Sequence, residues 1–305
     1  MPKPRIAVVG GVVIDLRFEV PRWPSIGEAI QGMLSEEAGG KGLNQAVAAA
    51  RLGAQVSILS ALGDDPYGHR LHDILEAEGV NALCKWVSRP EEIATDMTAV
   101  ILKDGQPGFI GCRRATNHLS TDFIHQHRDE IASASVVLVA LDVSEEAVRT
   151  VIALAKQTRR HIILNAAPSA TIPLSVAEDV DYVVLTVTEA RRWVETITST
   201  PANKMSEKDL GVRILRGKPK CVVITEGRDS CTLITANGRP RTYDASRARV
   251  IDDTGVTDAF CGGLAIAVAT GKSTEEQMRM GLAVGALASA RLGSYRSMPN
   301  AAELD

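Results

Sequence analysis

The chain has 305 residues, of which 45% are hydrophobic and 23% are charged. A chain of this length and composition can bury a large core, as one α/β domain or as one domain with a small appendage. The net charge of -3 and the pI near 6.1 exclude a broad basic surface for nucleic acid or anionic lipid. We therefore expect any phosphate chemistry to be confined to a local site.

The N-terminus and the cysteines bear on the cellular compartment. Residues 1–5 lead into a predicted strand at 6–10 and not into a signal peptide, and no apolar run approaches the roughly 20 residues that a membrane span needs. The five cysteines are scattered and form no C-x-x-C pair, which favours free thiols in a reducing compartment. We expect a cytoplasmic protein that binds neither nucleic acid nor a membrane.

Short β-branched runs alternate along the chain with Ala- and Leu-rich helical patterns. The predicted strands are 6–10, 56–59, 136–141, 161–164, 182–185 and 221–225. The predicted helices are 45–52, 68–78, 145–157 and 188–196. This alternation predicts a mostly parallel sheet covered on both faces by helices, and ligands bind such sheets beyond the carboxyl ends of the strands.

Two segments depart from that alternation. Residues 12–37 and 96–112 alternate apolar and polar side chains and predict hairpin strands outside the core. We interpret them as a small β lid inserted in a single domain spanning 1–305, which would exclude water from a reaction. The exposed edge of such a lid could pair with a second copy to form a homodimer.

A polar, acidic turn runs into an apolar helix of small residues at 251–263. Backbone N–H groups in the first turn of a helix have no partners within it, and the helix dipole adds positive charge, so such a turn can hold a phosphate. Asp258 is then placed to take a proton from a hydroxyl that attacks the phosphate. The alternative is a turn that only caps a helix, because Asp, Thr and Gly are common capping residues.

A second glycine-rich turn, Gly-Gly-Lys-Gly-Leu-Asn at 39–44, opens the predicted helix 45–52. One small ligand could contact the exposed backbone, the lysine ammonium and the asparagine amide of this turn. Alternatively, the turn could start a helix without binding any ligand. The spacing matches neither the Walker loop nor the dinucleotide fingerprint, which argues against a dinucleotide oxidoreductase.

The two turns together resemble a known family. Residues 39–53 are similar to the G-G-K-G-A-N-Q-A-V-A-A-A-R-L-G signature of the ribokinase-like PfkB carbohydrate kinases, and 252–258 are similar to that family's D-T-x-G-A-G-D signature. Further similarity lies at 10–15, 63–65, 165–168 and 293–299. The resemblance implies a three-layer α/β sandwich with a β lid. It also implies an ATP-dependent, magnesium-requiring transfer of the γ-phosphate to a primary hydroxyl of a small sugar.

The resemblance further implies a role for each matching residue. Sugar hydroxyls would be bound by Asp15, Gly40, Lys41, Asn44 and Asp142. The general base would be Asp258, and the amides of Gly255, Val256 and Thr257 would stabilise the transferred phosphoryl group. The nucleotide would contact Thr186, Thr225 and Gly227, and Glu189 would organise Mg²⁺. A monovalent cation such as K⁺ would be held by the loops that contain Asp252, Thr254, Gly293 and Ser297.

Departures from the family pattern leave two alternatives open. On the nucleotide side, Thr186 stands in place of Asn, and Val256 and Thr257 stand in place of Ala and Gly. On the sugar side, Val13 replaces an Asn, and Asp142 is shorter than the usual Glu, which argues against ribose itself as the substrate. A nucleoside kinase of the same family, with an apolar pocket near Val13, is one alternative. A degenerate member that binds a sugar without phosphorylating it is the other.

Overall fold

The computed structural model of the protein describes residues 2–88, 94–104, 106–168, 176–199, 201–236, 238–245 and 250–304. Its strands are β1 (Arg5–Val9), β2 (Val13–Glu19), β3 (Met33–Gly39), β4 (Gln55–Gly63), β5 (Val80–Val87), β6 (Met97–Lys103), β7 (Gln106–Cys112), β8 (Val136–Ala140), β9 (His161–Asn165), β10 (Tyr182–Thr186), β11 (Cys221–Glu226), β12 (Ser230–Thr235) and β13 (Arg241–Asp244). Its helices are α1 (Lys41–Arg51), α2 (Pro66–Ala77), α3 (Thr121–Gln126), α4 (Arg128–Ser133), α5 (Glu145–Gln157), α6 (Val187–Thr198), α7 (Glu207–Ile214), α8 (Val256–Ala269) and α9 (Thr274–Ser289).

Within the described residues, nine strands form one large sheet in the order β13-β12-β11-β10-β9-β8-β1-β4-β5. The pairings from β11 to β5 are all parallel, and β12 and β13 run antiparallel at one edge. This confirms the predicted mostly parallel sheet. No helix in the described ranges is both long and apolar enough to cross a membrane.

Helices cover both faces of the large sheet. In β1, Ile6 and Val8 belong to a core shared with α1, α2, α8 and α9, whereas Ala7 and Val9 belong to a core shared with α3 to α7. Successive side chains of a strand point to opposite faces, so a strand buried on both faces reads as a continuous apolar run. The three-layer architecture predicted from the alternating pattern is therefore confirmed.

The start of α1 differs from the prediction. The helix predicted at 45–52 begins at Lys41, because Gly40 adopts φ 97° and serves as its N-cap. Only glycine adopts this backbone conformation at low cost. The residues expected to form a turn thus form the first helical turn.

A second sheet of four strands has the order β3-β2-β6-β7 within the described residues. Strands β2 and β6 are parallel, and β3 and β7 pair antiparallel on either side of them. This sheet is built from the two segments for which we predicted a lid, and we call it the lid. Gly105, between the last two strands of the lid, lies outside the described residues.

Candidate active site

A close backbone contact brings α1 against the end of β1. A Cβ added at Gly42 would lie 2.6 Å from the carbonyl of Gly10, so only glycine fits there. The N–H of Gly42 also donates a hydrogen bond of 2.9 Å to the carbonyl of Gly11. The first turn of α1 therefore lies at the carboxyl end of the parallel sheet, where ligands bind in folds of this class.

Asp258 lies in the first turn of α8 and is 4% exposed. Its carboxylate accepts hydrogen bonds of 2.9 Å from the side-chain amides of Asn44 and Gln45. The amide of Asn165, at the end of β9, donates a third hydrogen bond of 3.4 Å. The structure thus brings the two sequence motifs together around one buried carboxylate.

These three amides also leave polar atoms without partners. The side-chain oxygens of Asn44, Gln45 and Asn165 are buried and have no hydrogen-bond partner among the described residues. Leaving a buried acceptor unsatisfied costs about 1–3 kcal/mol. Such a cost is offset when a ligand donates to these oxygens, as the hydroxyl groups of a sugar can.

Sequence reasoning assigned no role to Gln45 or Asn165. In the sequence, Gln45 is only the first residue of a predicted helix, and Asn165 is only part of a segment similar to the family. A polar side chain in an otherwise apolar buried helix was the available signal for Gln45, since its neighbours Ala46 to Ala49 are all core residues. Asn165 carried a weaker signal, because strand ends are often polar.

Among the described residues, the turn before α8 has no side-chain cap. Gly255 is the N-cap with φ 78°, and the N–H of Val256 donates a long hydrogen bond of 3.4 Å to the carbonyl of Asp253. The side chain of Val256 is buried and lies near Gly285 of α9, where a Cβ would come within 3.4 Å of its methyl group. The bulkier residue at this position is therefore accommodated in the core, and the amides of Val256 and Thr257 remain in the first turn.

On the predicted sugar side, Asp15 lies in β2 of the lid. Burial, together with the nearby charge of Glu37, raises the pKa of Asp15 to about 7. A Cβ added at Gly39 would lie 2.1 Å from Oδ2 of Asp15, so the absence of a side chain at Gly39 makes room for the carboxylate.

Asp142 and Lys41 complete the sugar side. Oδ1 of Asp142 accepts a hydrogen bond of 2.9 Å from the N–H of Gly11, and burial raises the pKa of Asp142. Burial lowers the pKa of the Lys41 ammonium, but the charges of Asp258 and Glu189 outweigh burial, so that the pKa of Lys41 is raised overall. Lys41 therefore stays cationic among the carboxylates.

Thr186 and Glu189 form a capping box at the start of α6. The Thr186 hydroxyl accepts the N–H of Glu189, and Oε2 of Glu189 accepts the N–H of Thr186 at 2.8 Å and its hydroxyl at 2.9 Å. Thr in place of Asn thus fixes the Glu189 carboxylate, whose Oε1 lies outside the cap. One carboxylate oxygen with the phosphates of a nucleotide suits Mg²⁺, which takes few protein ligands.

The turn after β11, which contains Gly227, contacts the acidic turn before α8 through an ion pair. Thr225 is buried and pairs in register with Thr186, and Gly227 follows with φ 58°. Nη1 of Arg228 then lies 2.7 Å and 2.8 Å from the two carboxylate oxygens of Asp253. The predicted nucleotide residues therefore lie beside the turn that opens α8.

The predicted cation loop is arranged differently from what the family resemblance implies. Oδ1 of Asp252 accepts the N–H and the hydroxyl of Thr254, at 2.9 Å and 2.7 Å. Oδ2 accepts the N–H of Gly293 at 3.2 Å and the Arg17 guanidinium at 3.3 Å. Because a carboxylate offers about four lone-pair sites, these four donors leave Asp252 none for a metal ion.

Ser297, the fourth predicted cation residue, does not contact Asp252. Its buried hydroxyl instead donates a hydrogen bond of 2.7 Å to the carbonyl of Ser294. With the Asp252 carboxylate already saturated, the side chains of this loop offer a monovalent cation hydroxyl oxygens but no free carboxylate.

The whole chain resembles known carbohydrate kinases. The family model described as pfkB family carbohydrate kinase matches residues 3–301. Ribokinase of Haemophilus influenzae is 28% identical over 307 residues, which cover 98% of this chain and 96% of that protein. Deoxyribokinase of Salmonella typhimurium is 25% identical over 299 residues, which cover 97% of this chain and 95% of that protein.

The fold matches as well as the sequence. The structure of Arabidopsis thaliana ribokinase complexed with ribose and ATP superposes with a TM-score of 0.82 at 25% sequence identity, covering 99% of this chain and 97% of that chain. Both kinds of similarity extend over nearly the full length. The chain therefore belongs to the pfkB family of carbohydrate kinases.

Proposed function

We propose that this ATP-dependent sugar kinase transfers the γ-phosphate to a primary hydroxyl, with Asp258 as the general base. The observation that carries the proposal is the position of Asp258, which lies in the first turn of α8, where no side chain caps the helix, and 2.9 Å from the Asn44 amide. Its carboxylate is therefore next to both a phosphate-binding turn and a polar sugar side. A positioned general base contributes about 10² to 10⁴ in rate.

The sugar is held by carboxylates, an amide and an ammonium. Asp15 and Asp142 accept hydrogen bonds from hydroxyls, and Asn44, Lys41 and the backbone of Gly40 complete the set. Acceptor-only carboxylates combined with donors suit a polyol better than an apolar base, which favours a sugar over a nucleoside. Two named relatives, a ribokinase and a deoxyribokinase, point to a pentose-sized substrate.

The phosphoryl group is stabilised by backbone amides. The hydroxyl loses its proton to Asp258 as it attacks the γ-phosphate, and the amides of Gly255, Val256 and Thr257 stabilise the charge on the transferred group. Loss of one such preorganised donor typically costs about 3–4 kcal/mol. Lys41, which stays cationic, offsets the negative charge of the carboxylates nearby.

ATP lies along the nucleotide side, against Thr186, Thr225 and Gly227. Glu189 would hold Mg²⁺ there, which would supply positive charge to the phosphates. The presence of both Asp258 and Glu189 favours a catalyst over a degenerate sugar-binding member.

The lid supports two further parts of the proposal. It covers the sugar through Asp15 and excludes water, and its exposed apolar side chains support a homodimer formed through the lid. These side chains are Trp23, Met33, Leu34, Phe109 and Ile110. The five free cysteines are compatible with the reducing environment of the cytoplasm.

A coupled assay of ADP release, run with a panel of pentoses, ketohexoses and nucleosides, tests the proposal. We expect turnover with a sugar, and a loss of about 10² to 10⁴ in Asp258→Ala. Asp122→Ala, which removes an exposed carboxylate from the first turn of another helix, is the matched control and should retain full activity. Sugar-dependent rises in melting temperature without any turnover would favour a degenerate member that binds a sugar without phosphorylating it. Turnover unaffected by Asp258→Ala would overturn the assignment of Asp258 as the general base.

A further inference from the structure

Arg17 reaches from the lid to the turn that opens α8. It lies in β2, its side chain is 14% exposed, and its Nη2 is 3.3 Å from Oδ2 of Asp252. Its Nη1 lies 3.5 Å from Oε2 of Glu37 on the neighbouring strand β3. The guanidinium is therefore held between a lid carboxylate and the carboxylate at the start of the phosphate-binding turn.

The surroundings of this guanidinium coincide with the predicted cation loop. A Cβ added at Gly293 would lie 3.5 Å from Oε2 of Glu37, so Glu37 reaches that loop as well. The N–H of Gly293 donates a hydrogen bond to Oδ2 of Asp252. The positive charge beside Asp252 is thus a protein side chain. The other donors next to Asp252 are already hydrogen-bonded to its carboxylate.

The electrostatics of Asp252 agree with this geometry. The Asp252 carboxylate accepts hydrogen bonds from Thr254 and Gly293, and the charge of the Arg17 guanidinium lies 3.3 Å from its Oδ2. Asp252 is therefore a stable carboxylate with a fixed counter-charge. A monovalent cation would have to displace a donor from it.

We propose that the Arg17 guanidinium takes the place of a monovalent cation beside the phosphate-binding turn, so that this kinase works without K⁺. The inference rests on the proposed function, because it concerns the turn assigned to phosphoryl transfer. A guanidinium suits the position, since it is permanently charged and more weakly hydrated than an ammonium. Arg17 is a positioning residue here: it acts on the amides of the turn through Asp252.

Because Arg17 lies in the lid, its charge beside the phosphate-binding turn depends on the position of the lid. Arg17 stands two positions after Asp15 on the same strand, so the strand that contributes a sugar ligand also contributes the charge beside the phosphate-binding turn. A free cation could bind beside the phosphate-binding turn whether or not the lid covers the site. A lid arginine is present only when β2 lies over the site.

The first test compares initial rates in KCl and in tetramethylammonium chloride at equal ionic strength, so that general screening is the same. We expect the wild-type rates to agree within about twofold. Arg17→Met should be slower by about tenfold in tetramethylammonium, with kcat more affected than the sugar KM, and K⁺ or guanidinium should restore part of the rate. A wild-type enzyme that loses more than tenfold without K⁺ would overturn the proposal, as would a salt-indifferent Arg17→Met with wild-type activity.

Arg70→Met is the matched control. Arg70 pairs with Glu36 of β3 at 3.7 Å, so it also anchors the lid to the core, but it has no ion pair with Asp252. This variant should keep the salt indifference of the wild type. If Arg70→Met became K⁺-dependent as Arg17→Met does, loss of any lid anchor would explain the effect and the proposal would be wrong.

Melting temperatures provide a readout that needs no turnover. K⁺ should raise the melting temperature of Arg17→Met relative to tetramethylammonium and leave the wild type and Arg17→Lys unchanged, because only the first lacks a cation beside Asp252. Arg17→Gln, which keeps a donor for Asp252, replaces Arg17→Met if that variant does not fold. A K⁺-specific rise in the wild type would overturn the proposal. A failure of every sugar in the activity panel would instead count against the proposed function, and the melting comparison would still decide the role of Arg17.

Discussion

The side-chain amide of Asn44 lies 2.9 Å from Oδ2 of Asp258, across a separation of 214 positions in the chain. This contact joins the first turn of α1 to the first turn of α8. Since Asn44 belongs to the sugar-side motif and Asp258 to the phosphate-side motif, the hydrogen bond marks where the two substrates of a kinase would meet.

Replacing Gln45 with leucine should lower kcat and leave the sugar KM nearly unchanged. The Gln45 amide holds the Asp258 carboxylate at 2.9 Å, and a hydrogen bond to a charged group contributes about 1.5–3 kcal/mol, so we expect a loss of about tenfold or more. Asn165→Leu should have a smaller effect, because its hydrogen bond is longer, at 3.4 Å. Steady-state kinetics with the preferred sugar measure both.

Gln277→Leu is the control for these two variants. Gln277 is also buried and hydrogen-bonded, to Tyr182 and to the Lys272 carbonyl, but it lies in α9 away from Asp258. It should lower the melting temperature and keep kcat. Equal losses of kcat in Gln277→Leu and Gln45→Leu would show that any loss of buried polar packing has the same effect.

Thr257 should matter for its backbone and not for its side chain. Thr257→Ala keeps the amide and should retain kcat within about threefold. Thr257→Pro removes the amide at a first-turn position where proline is tolerated, and should lower kcat by about 10² to 10³. Circular dichroism checks that α8 still folds. A folded Thr257→Pro variant with normal kcat would show that this amide does not stabilise the transferred phosphoryl group.

The sugar KM should depend on pH near neutrality. Because the pKa of Asp15 is raised to about 7, the carboxylate is protonated below that pH and ionised above it. An ionised carboxylate accepts more hydrogen bonds from sugar hydroxyls, so KM should fall as the pH rises from 6 to 8. Glu37→Gln should move this transition to lower pH, since Glu37 raises the pKa of Asp15, whereas the neighbouring Glu36→Gln should not move it.

The same shift affects the stability of the free protein. The folded pKa of Asp15, about 7, lies above its ordinary value of 3.8, so the folded state keeps a proton that the unfolded state has lost between these values. Its contribution to the free energy of unfolding therefore falls as the pH rises from about 4 to about 7. Chemical denaturation across this range should show a weaker decline in Asp15→Asn, and an identical decline in both proteins would contradict the raised pKa.

Gly39→Ala should damage sugar binding. The added Cβ would lie 2.1 Å from Oδ2 of Asp15 and must displace that carboxylate, so kcat/KM for the sugar should fall by about 10² or more. Gly111→Ala, in the lid strand β7, places its Cβ in open space and should retain activity. Equal activity of the two variants would show that Asp15 does not need its present position.

Much of the fold could be predicted from local patterns. The apolar runs of β1, β8 and β10 are buried on both faces, and their alternation with amphipathic helices specifies a parallel sheet without knowledge of any long-range contact. The turn that opens α8 was also visible, because Gly255 precedes a run of small apolar residues. These features depend on neighbours in the sequence.

The remaining features of the site depend on contacts between distant residues. Nothing near Arg17 in the sequence indicates that it contacts Asp252, 235 positions away, because alternation in β2 predicts only that it lies on one face of the lid. The raised pKa of Asp15 similarly depends on burial in the folded protein and on Glu37 across the β2–β3 pairing. The family resemblance predicts a cation at Asp252. In the structure, the side chain of Arg17, from the lid, lies beside Asp252 instead.

The position of the phosphate in the product tests the central proposal most directly. Proton–phosphorus correlation NMR of the purified product, made from ATP and the preferred sugar, identifies the carbon that carries the ester. We predict that the phosphorus couples to the methylene protons of a primary alcohol, and that Asp258→Asn forms this ester at least about 10² times more slowly. A phosphorus signal coupled to a methine proton, or ADP accompanied only by inorganic phosphate, would contradict it.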